Sequence, residues 1–116
     1  MTLLRITGLI GALGVGLGAF GAHGLKTALE ARGMMEIWHT ASLYHLLHSV
    51  VLLALSLQPI RPRWSGLLFA FGILIFSGSL YLLALTGVKW LGAVTPVGGS
   101  LLIAGWFSLF SARPRP

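Results

Sequence analysis

The first apolar stretch of the chain, residues 3–22, reads LLRITGLIGALGVGLGAFGA. Its one charged residue, Arg5, lies near the start, where a long side chain can extend to the membrane interface. About 20 apolar residues in helical form cross the roughly 30 Å hydrocarbon core of a bilayer. The run is longer than the roughly 7–15 apolar residues of a signal peptide, so we interpret it as a retained transmembrane helix.

Three further apolar stretches of similar length follow. A tryptophan stands at the start of each, where interfacial tryptophans are frequent. The predicted spans are about 3–22, 38–57, 64–85 and 91–110, and the three tryptophans are Trp38, Trp64 and Trp90. We therefore expect an all-α fold, a four-helix transmembrane bundle formed by a single integral membrane domain, residues 1–116.

The composition also indicates a membrane protein. Of the 116 residues 56% are hydrophobic and 9% are charged, and the mean hydropathy is +0.91. A soluble domain carries about 25% charged residues. The net charge of +6 is spread near the ends of the apolar stretches, which is typical of topology determinants and not of nucleic-acid binding. The chain has no cysteine, which excludes disulfides and thiolate sites.

The longest connection, residues 23–37, pairs Lys26 with Glu30 at i,i+4. With Leu25, Ala28 and Leu29 at helical spacing, it predicts a short amphipathic surface helix between helices 1 and 2, broken at Gly33.

The distribution of Lys and Arg predicts the orientation. The predicted spans place five basic residues on one side and three on the other, together with both glutamates. The larger group is Arg5, Arg61, Arg63, Arg113 and Arg115, and the smaller is Lys26, Arg32 and Lys89. The excess predicts that both termini are cytoplasmic.

Glycines on the first helix indicate close helix packing. Gly11, Gly14, Gly18 and Gly21 fall on one face, and Gly14 with Gly18 forms a G-x-x-x-G. Since apolar side chains gain little by leaving lipid, small residues that let backbones approach matter for association. A neighbouring helix should lie along this face.

The fourth helix carries a second small face, formed by Gly92, Thr95 and Gly99, with Pro96 in its interior. Pro96 predicts a kink, because it cannot donate a hydrogen bond to the carbonyl of Gly92. The face fits either helix packing or a small cavity.

The second helix has a polar face, which includes Ser42, Tyr44, His45, His48 and Ser49. Polar side chains are costly in hydrocarbon, so this face should point into the bundle. Because successive helices run in opposite directions, polar groups of three helices converge in the predicted outer leaflet. The candidate ligand-pocket residues are Tyr44, His45, His48, Ser77, Tyr81 and Thr95.

Three interpretations of this cluster stay open. Tyr44, His48, Ser77 and Tyr81 could form a hydrogen-bonded network that locks the helices together. The cluster could instead line a pocket for a lipid, a quinone or another small hydrophobic ligand. Thirdly, His45 and His48 at i,i+3 could hold haem or a metal, although they are weak candidates because no predicted span contains a carboxylate.

The sequence resembles a family of small multi-pass membrane proteins, domain of unknown function 423, which includes the transmembrane-protein-256-like proteins. The motifs that carry the resemblance are Gly18-Ala19-Phe20-Gly21-Ala22-His23-Gly24-Leu25, Trp38, Tyr44-His45-Leu46-Leu47-His48, Phe76-Ser77-Gly78-Ser79-Leu80-Tyr81, Thr95-Pro96-Val97-Gly98-Gly99 and Ala104-Gly105-Trp106. The resemblance implies a four-span protein of the bacterial inner membrane and supplies no activity. It also favours the other five pocket candidates over His45, whose position is expected to hold glutamine in related sequences.

The sequence thus predicts a non-enzymatic accessory or interaction protein of a membrane complex. No nucleophile–base–acid arrangement is visible, and no cofactor is required. The expected partners are the lipid bilayer and either a larger membrane complex or further copies of the chain, and nucleic acid is not expected. The alternatives are the hydrophobic-ligand module and the haem- or metal-binding electron carrier.

Overall fold

The computed structural model describes residues 2–62 and 64–112, and every regular element among them is helical. The five α-helices are α1 Leu3–Ala22, α2 Lys26–Ala31, α3 Met35–Ser56, α4 Ser65–Thr86 and α5 Leu91–Ser108, followed by a 3-10 turn at Leu109–Ser111. The bounds of α1 coincide with the first predicted span, and α2 occupies the predicted connecting helix. Arg63, Arg113 and Arg115, which enter the predicted charge count, lie outside the described residues.

Three helical segments within the described ranges are long and apolar enough to cross a membrane: Leu3–Ala22, Ser65–Thr86 and Leu91–Ser111. The helix α3 has 22 residues, as many as α4, yet it is not among them. The helix is long enough but not apolar enough, because it carries Glu36 and three histidines.

The long helices run alternately up and down, in the order α1, α3, α4, α5. Each packs mainly against the next, so α3 lies between α1 and α4. At one end Leu3 lies against Gly66, and Ser65 bonds to Ser108. We call this the arginine end, because Arg5 and Arg61 lie there. At the opposite end, which we call the α2 end, Arg32 donates a hydrogen bond to the carbonyl of Leu85.

Two apolar clusters form the core. The cluster at the α2 end comprises Leu29, Trp38, Ala41, Tyr81 and Ala84, and the cluster towards the arginine end comprises Leu52, Leu55, Phe69, Ile73 and Leu102. Trp38, assigned from the sequence to the interface, is 1% exposed and donates from Nε1 to the carbonyl of Leu17 at 3.0 Å. It packs inside because α3 begins at Met35, nearly one turn before the predicted span.

The glycines of α1 divide between two environments. A Cβ at Gly14 would lie 2.9 Å from Leu46, and one at Gly21 would lie 2.2 Å from Trp38, so α3 approaches α1 along these two residues. At Gly11 and Gly18 an added Cβ would meet nothing within 4 Å. The neighbouring helix therefore covers only part of the predicted glycine face, since α3 lies to one side of it.

The helices α4 and α5 make the closest contact, and other glycines permit it. A Cβ at Gly98 would lie 2.2 Å from the backbone nitrogen of Phe76. At Gly99 it would lie 3.6 Å from the Phe76 ring, and at Gly92 no nearer than 4.0 Å to Leu83. Gly98, beside the predicted face, is thus the α5 glycine that lies closest to the backbone of α4. The helix α5 continues through Pro96.

Candidate functional site

His45 joins three helices. Its Nε2 lies 2.8 Å from the carbonyl oxygen of Ile10 on α1, and its Nδ1 lies 3.0 Å from the hydroxyl of Tyr81 on α4. Because a carbonyl oxygen only accepts, Nε2 must carry the hydrogen, and in the neutral ring Nδ1 accepts from Tyr81. A longer contact of 3.5 Å extends from the Tyr81 hydroxyl to Ser42. His45, the candidate that the family resemblance disfavoured, is therefore the centre of this network.

His48 joins α3 to α5 through a different partner. Its Nδ1 lies 2.9 Å from the carbonyl oxygen of Tyr44, and Trp106 donates from Nε1 to its Nε2 at 3.1 Å. The pattern fits a neutral imidazole, since Nδ1 must donate and Nε2 must accept. Trp106 was missed as a site residue. The available signal was its position inside the fourth apolar stretch and away from the start, where the other tryptophans stand.

Ser77 and Thr95 make separate contacts. Ser77 donates to the carbonyl of Ala41 at 2.7 Å, which links α4 to α3. The Thr95 hydroxyl lies 2.7 Å from that of Ser79, which links α5 to α4. Ser79 was not a candidate from the sequence.

Tyr44 stands apart from the buried network. It is 40% exposed, and its ring stacks on His48 and packs on Phe76. The predicted arrangement of Tyr44, His48, Ser77 and Tyr81 is therefore replaced by four separate contacts. They join His45 to Tyr81, His48 to Trp106, Ser77 to the carbonyl of Ala41, and Ser79 to Thr95. Their role as ligand-pocket residues stays a prediction.

The ring nitrogens of both histidines are engaged within the protein, so neither ring offers a lone pair to haem or a metal without losing a bond. Among the described residues, no three His, Asp or Glu side chains come together as a potential metal site. The geometry does not favour the electron-carrier interpretation.

Thr7 differs from these hydrogen-bonded residues, although it is also buried. Its hydroxyl has no hydrogen-bond partner among the described residues, although the side chain is only 5% exposed. An unpaired hydroxyl in an apolar setting costs about 1–3 kcal/mol.

Two surface depressions flank α1. The α1–α4 cleft has a volume of about 410 Å³ and lies between Ile6, Leu9 and Leu13 of α1 and Phe71, Leu74 and Gly78 of α4. The α1–α3 groove has a volume of about 400 Å³ and lies between Gly8, Gly11 and Val15 of α1 and Leu46, Val50 and Leu53 of α3. They exist because α1 packs mainly against α3 and leaves both of its own flanks uncovered.

Comparison with known proteins identifies the family. The family described as Protein of unknown function (DUF423) matches residues 17–99. A UPF0382 membrane protein of Staphylococcus saprophyticus is 45% identical over 94% of each chain. The UPF0382 membrane protein YwdK of Bacillus subtilis is 40% identical, over 99% of this chain and 98% of its own. A UPF0382 membrane protein of Schizosaccharomyces pombe is 37% identical, over 94% of this chain and 98% of its own.

No solved structure matches the chain closely enough for a comparison of folds. The family match covers most of the chain, and the relatives, named membrane proteins in bacteria and yeast, align along nearly its whole length. With its three apolar helices of membrane-spanning length, the chain is a membrane protein and belongs to the DUF423 family.

Proposed function

We propose that this chain crosses the membrane four times and acts, without chemistry of its own, as an interaction subunit whose partner is a transmembrane helix bound in the α1–α3 groove. The proposal about the crossings is supported by α3, which runs the length of the bundle between α1 and α4. Its polar residues Ser42, His45, His48 and Ser49 are buried within the protein. A helix with this pattern can cross a bilayer because these four polar side chains do not meet lipid.

A non-enzymatic role is supported by the bonding of the buried polar groups. Apart from Thr7, every fully buried side-chain N or O atom among the described residues has a hydrogen-bond partner. These bonds tie helices together, and they leave no ring nitrogen of the two buried histidines, His45 and His48, available to a substrate.

The observation that carries the interaction role is the open glycine surface of the α1–α3 groove. Gly8 and Gly11 line it, and a Cβ at either position would meet nothing within 4 Å. Helices associate in membranes where small residues let their backbones approach. These two glycines have no internal neighbour to accommodate, so they suit an external helix.

A leucine at position 11 tests this role. Gly11→Leu should fill the groove without an internal clash, because the space is open. The matched control is Gly16→Leu, at an equally open position of α1 that lines neither depression. Tagged chains are extracted gently from their own membrane, and partner stoichiometry is measured by native mass spectrometry. A partner bound at fixed stoichiometry should remain with Gly16→Leu and dissociate with Gly11→Leu. A native chain that purifies alone, or a partner retained by Gly11→Leu, would contradict the proposal.

The proposed location is the bacterial inner membrane with both termini in the cytoplasm. The support is the arginine excess on one side of the predicted spans, against two lysines, one arginine and both glutamates on the other.

A second candidate function is the binding of a small hydrophobic ligand. The α1–α4 cleft supports it, because the cleft is large enough for a ligand and lies on the flank of α1 opposite the groove.

A further inference from the structure

The α1–α4 cleft has the length of a lipid chain in one leaflet. It extends along α1 from Ile6 to Leu17 and along α4 from Ala70 to Tyr81. At about 1.5 Å per residue, each side is roughly 16 Å long. One leaflet of a bilayer with a hydrocarbon core of about 30 Å is about 15 Å deep. An acyl chain aligned with the helices would therefore fill the cleft from end to end.

The interior of the cleft presents hydrocarbon. His45, Ser77 and Tyr81 are the polar residues on its wall, and each is already hydrogen-bonded within the protein. A ligand with polar groups along its length would find no free hydrogen-bond donor among them. The cleft thus selects an apolar segment, and any polar part of the ligand must lie outside it.

The end of the cleft beside Ile6 and Ala70 lies at the arginine end of the bundle. Arg5 precedes Leu9 by one helical turn, is exposed, and makes no side-chain hydrogen bond or ion pair with a described residue. Arg61 lies at the same end and donates to the carbonyls of Leu55 and Gln58. The N-termini of α1 and α4, which carry partial positive charge, border the cleft here, and the C-termini of α3 and α5, which carry partial negative charge, lie at the same end.

No carboxylate side chain opposes this positive charge. The sequence has two acidic residues, Glu30 and Glu36, and both lie at the α2 end. The charged side chains near an anionic group at the arginine end would all be basic and would therefore attract it.

We propose that the α1–α4 cleft binds an anionic phospholipid, with one acyl chain between α1 and α4 and the phosphate beside Arg5. This assignment names the ligand class of the second candidate function and rests on α3 crossing the membrane. It does not depend on the partner helix, because the cleft and the groove occupy opposite flanks of α1. Substitutions at Gly78 and Gly11 therefore test the two proposals separately.

The test is native mass spectrometry of the full chain in micelles that contain phosphatidylglycerol and phosphatidylcholine, in equal amounts and with identical acyl chains. One phosphatidylglycerol should be retained per chain in preference to phosphatidylcholine. Gly78→Phe should abolish retention, because a Cβ there meets nothing within 4 Å and the ring would occupy the cleft. Gly16→Phe, equally open but outside the cleft, should retain the lipid.

The charge is tested separately. Arg5→Gln should lower the preference for phosphatidylglycerol about fivefold, the effect of one basic residue near an anionic surface. Lys89→Gln, at the α2 end, should leave the preference unchanged. Equal retention of both lipids, or retention by Gly78→Phe, would mean that only adventitious lipid surrounds the helices, and either result would overturn the proposal.

Discussion

Among individual residues, the two tyrosines of the chain allow the buried network to be tested without disturbing packing. Tyr81→Phe removes the hydroxyl bonded to His45 and keeps the ring against Trp38. Hydrogen bonds between transmembrane helices contribute about 0.6 kcal/mol on average and about 1.7 kcal/mol at most. We expect Tyr81→Phe to lower the free energy of unfolding in SDS-containing mixed micelles by about 0.5–1.5 kcal/mol.

Tyr44→Phe is the control, because Tyr44 is 40% exposed and packs on His48 and Phe76 through its ring alone. It should leave the free energy of unfolding unchanged. If both variants lost equal stability, Tyr44 would belong to the network after all, as the sequence-based interpretation supposed.

The sequence could predict that the polar residues of α3 face inward, but it could not predict their pairing. Each residue advances a helix by about 1.5 Å and 100°, so a small rotation or shift between helices decides whether His45 or His48 meets Tyr81. Those offsets are set by contacts such as Ser77 with the carbonyl of Ala41, which depend on the whole interface. The hydrogen bond between Trp106 and His48 could not be predicted for the same reason, since it depends on the offset between α3 and α5.

Among the helices, α4 and α5 make their tightest approach at Gly98. Gly98→Ala would place a Cβ 2.2 Å from the Phe76 nitrogen, and backbone cannot move aside as a side-chain end can. Overpacking of this kind costs about 1–3 kcal/mol and should separate α5 from α4. Gly92→Ala, whose Cβ would be 4.0 Å from Leu83, should be neutral or stabilising, since alanine favours helix over glycine.

Unfolding of both variants in mixed micelles measures this difference. Equal stability of Gly98→Ala and Gly92→Ala would show that α4 and α5 can separate without loss of stability.

The sequence located α5 itself well, because a continuous apolar run predicts a helix. Gly92, Gly98 and Gly99 all lie on it, however, and which of them touches α4 depends on a crossing point that periodicity does not encode.

For the molecule as a whole, the sequence predicted four apolar stretches, while three segments of the structure meet the composition of a span. The difference lies in α3, whose burial between α1 and α4 allows it to be polar. Apolar composition is needed where a helix meets lipid, and α3 meets protein along its histidine face. Under the four-span proposal, hydropathy alone underestimates a central helix of this kind.

The number of crossings can be measured by cysteine accessibility, because the natural chain has no cysteine to mask. Glu30→Cys precedes α3 and Gln58→Cys follows it, so they should react with a membrane-impermeant maleimide from opposite sides. With cytoplasmic termini, Glu30→Cys and Lys89→Cys are labelled in intact cells, and Gln58→Cys is labelled only after lysis. Labelling of positions 30 and 58 from the same side would mean that α3 does not cross. The four-span proposal would then fail. The phospholipid proposal would fail with it, because α1 and α4 can flank one lipid within the bilayer only if α3, which connects them in the bundle, also crosses the membrane.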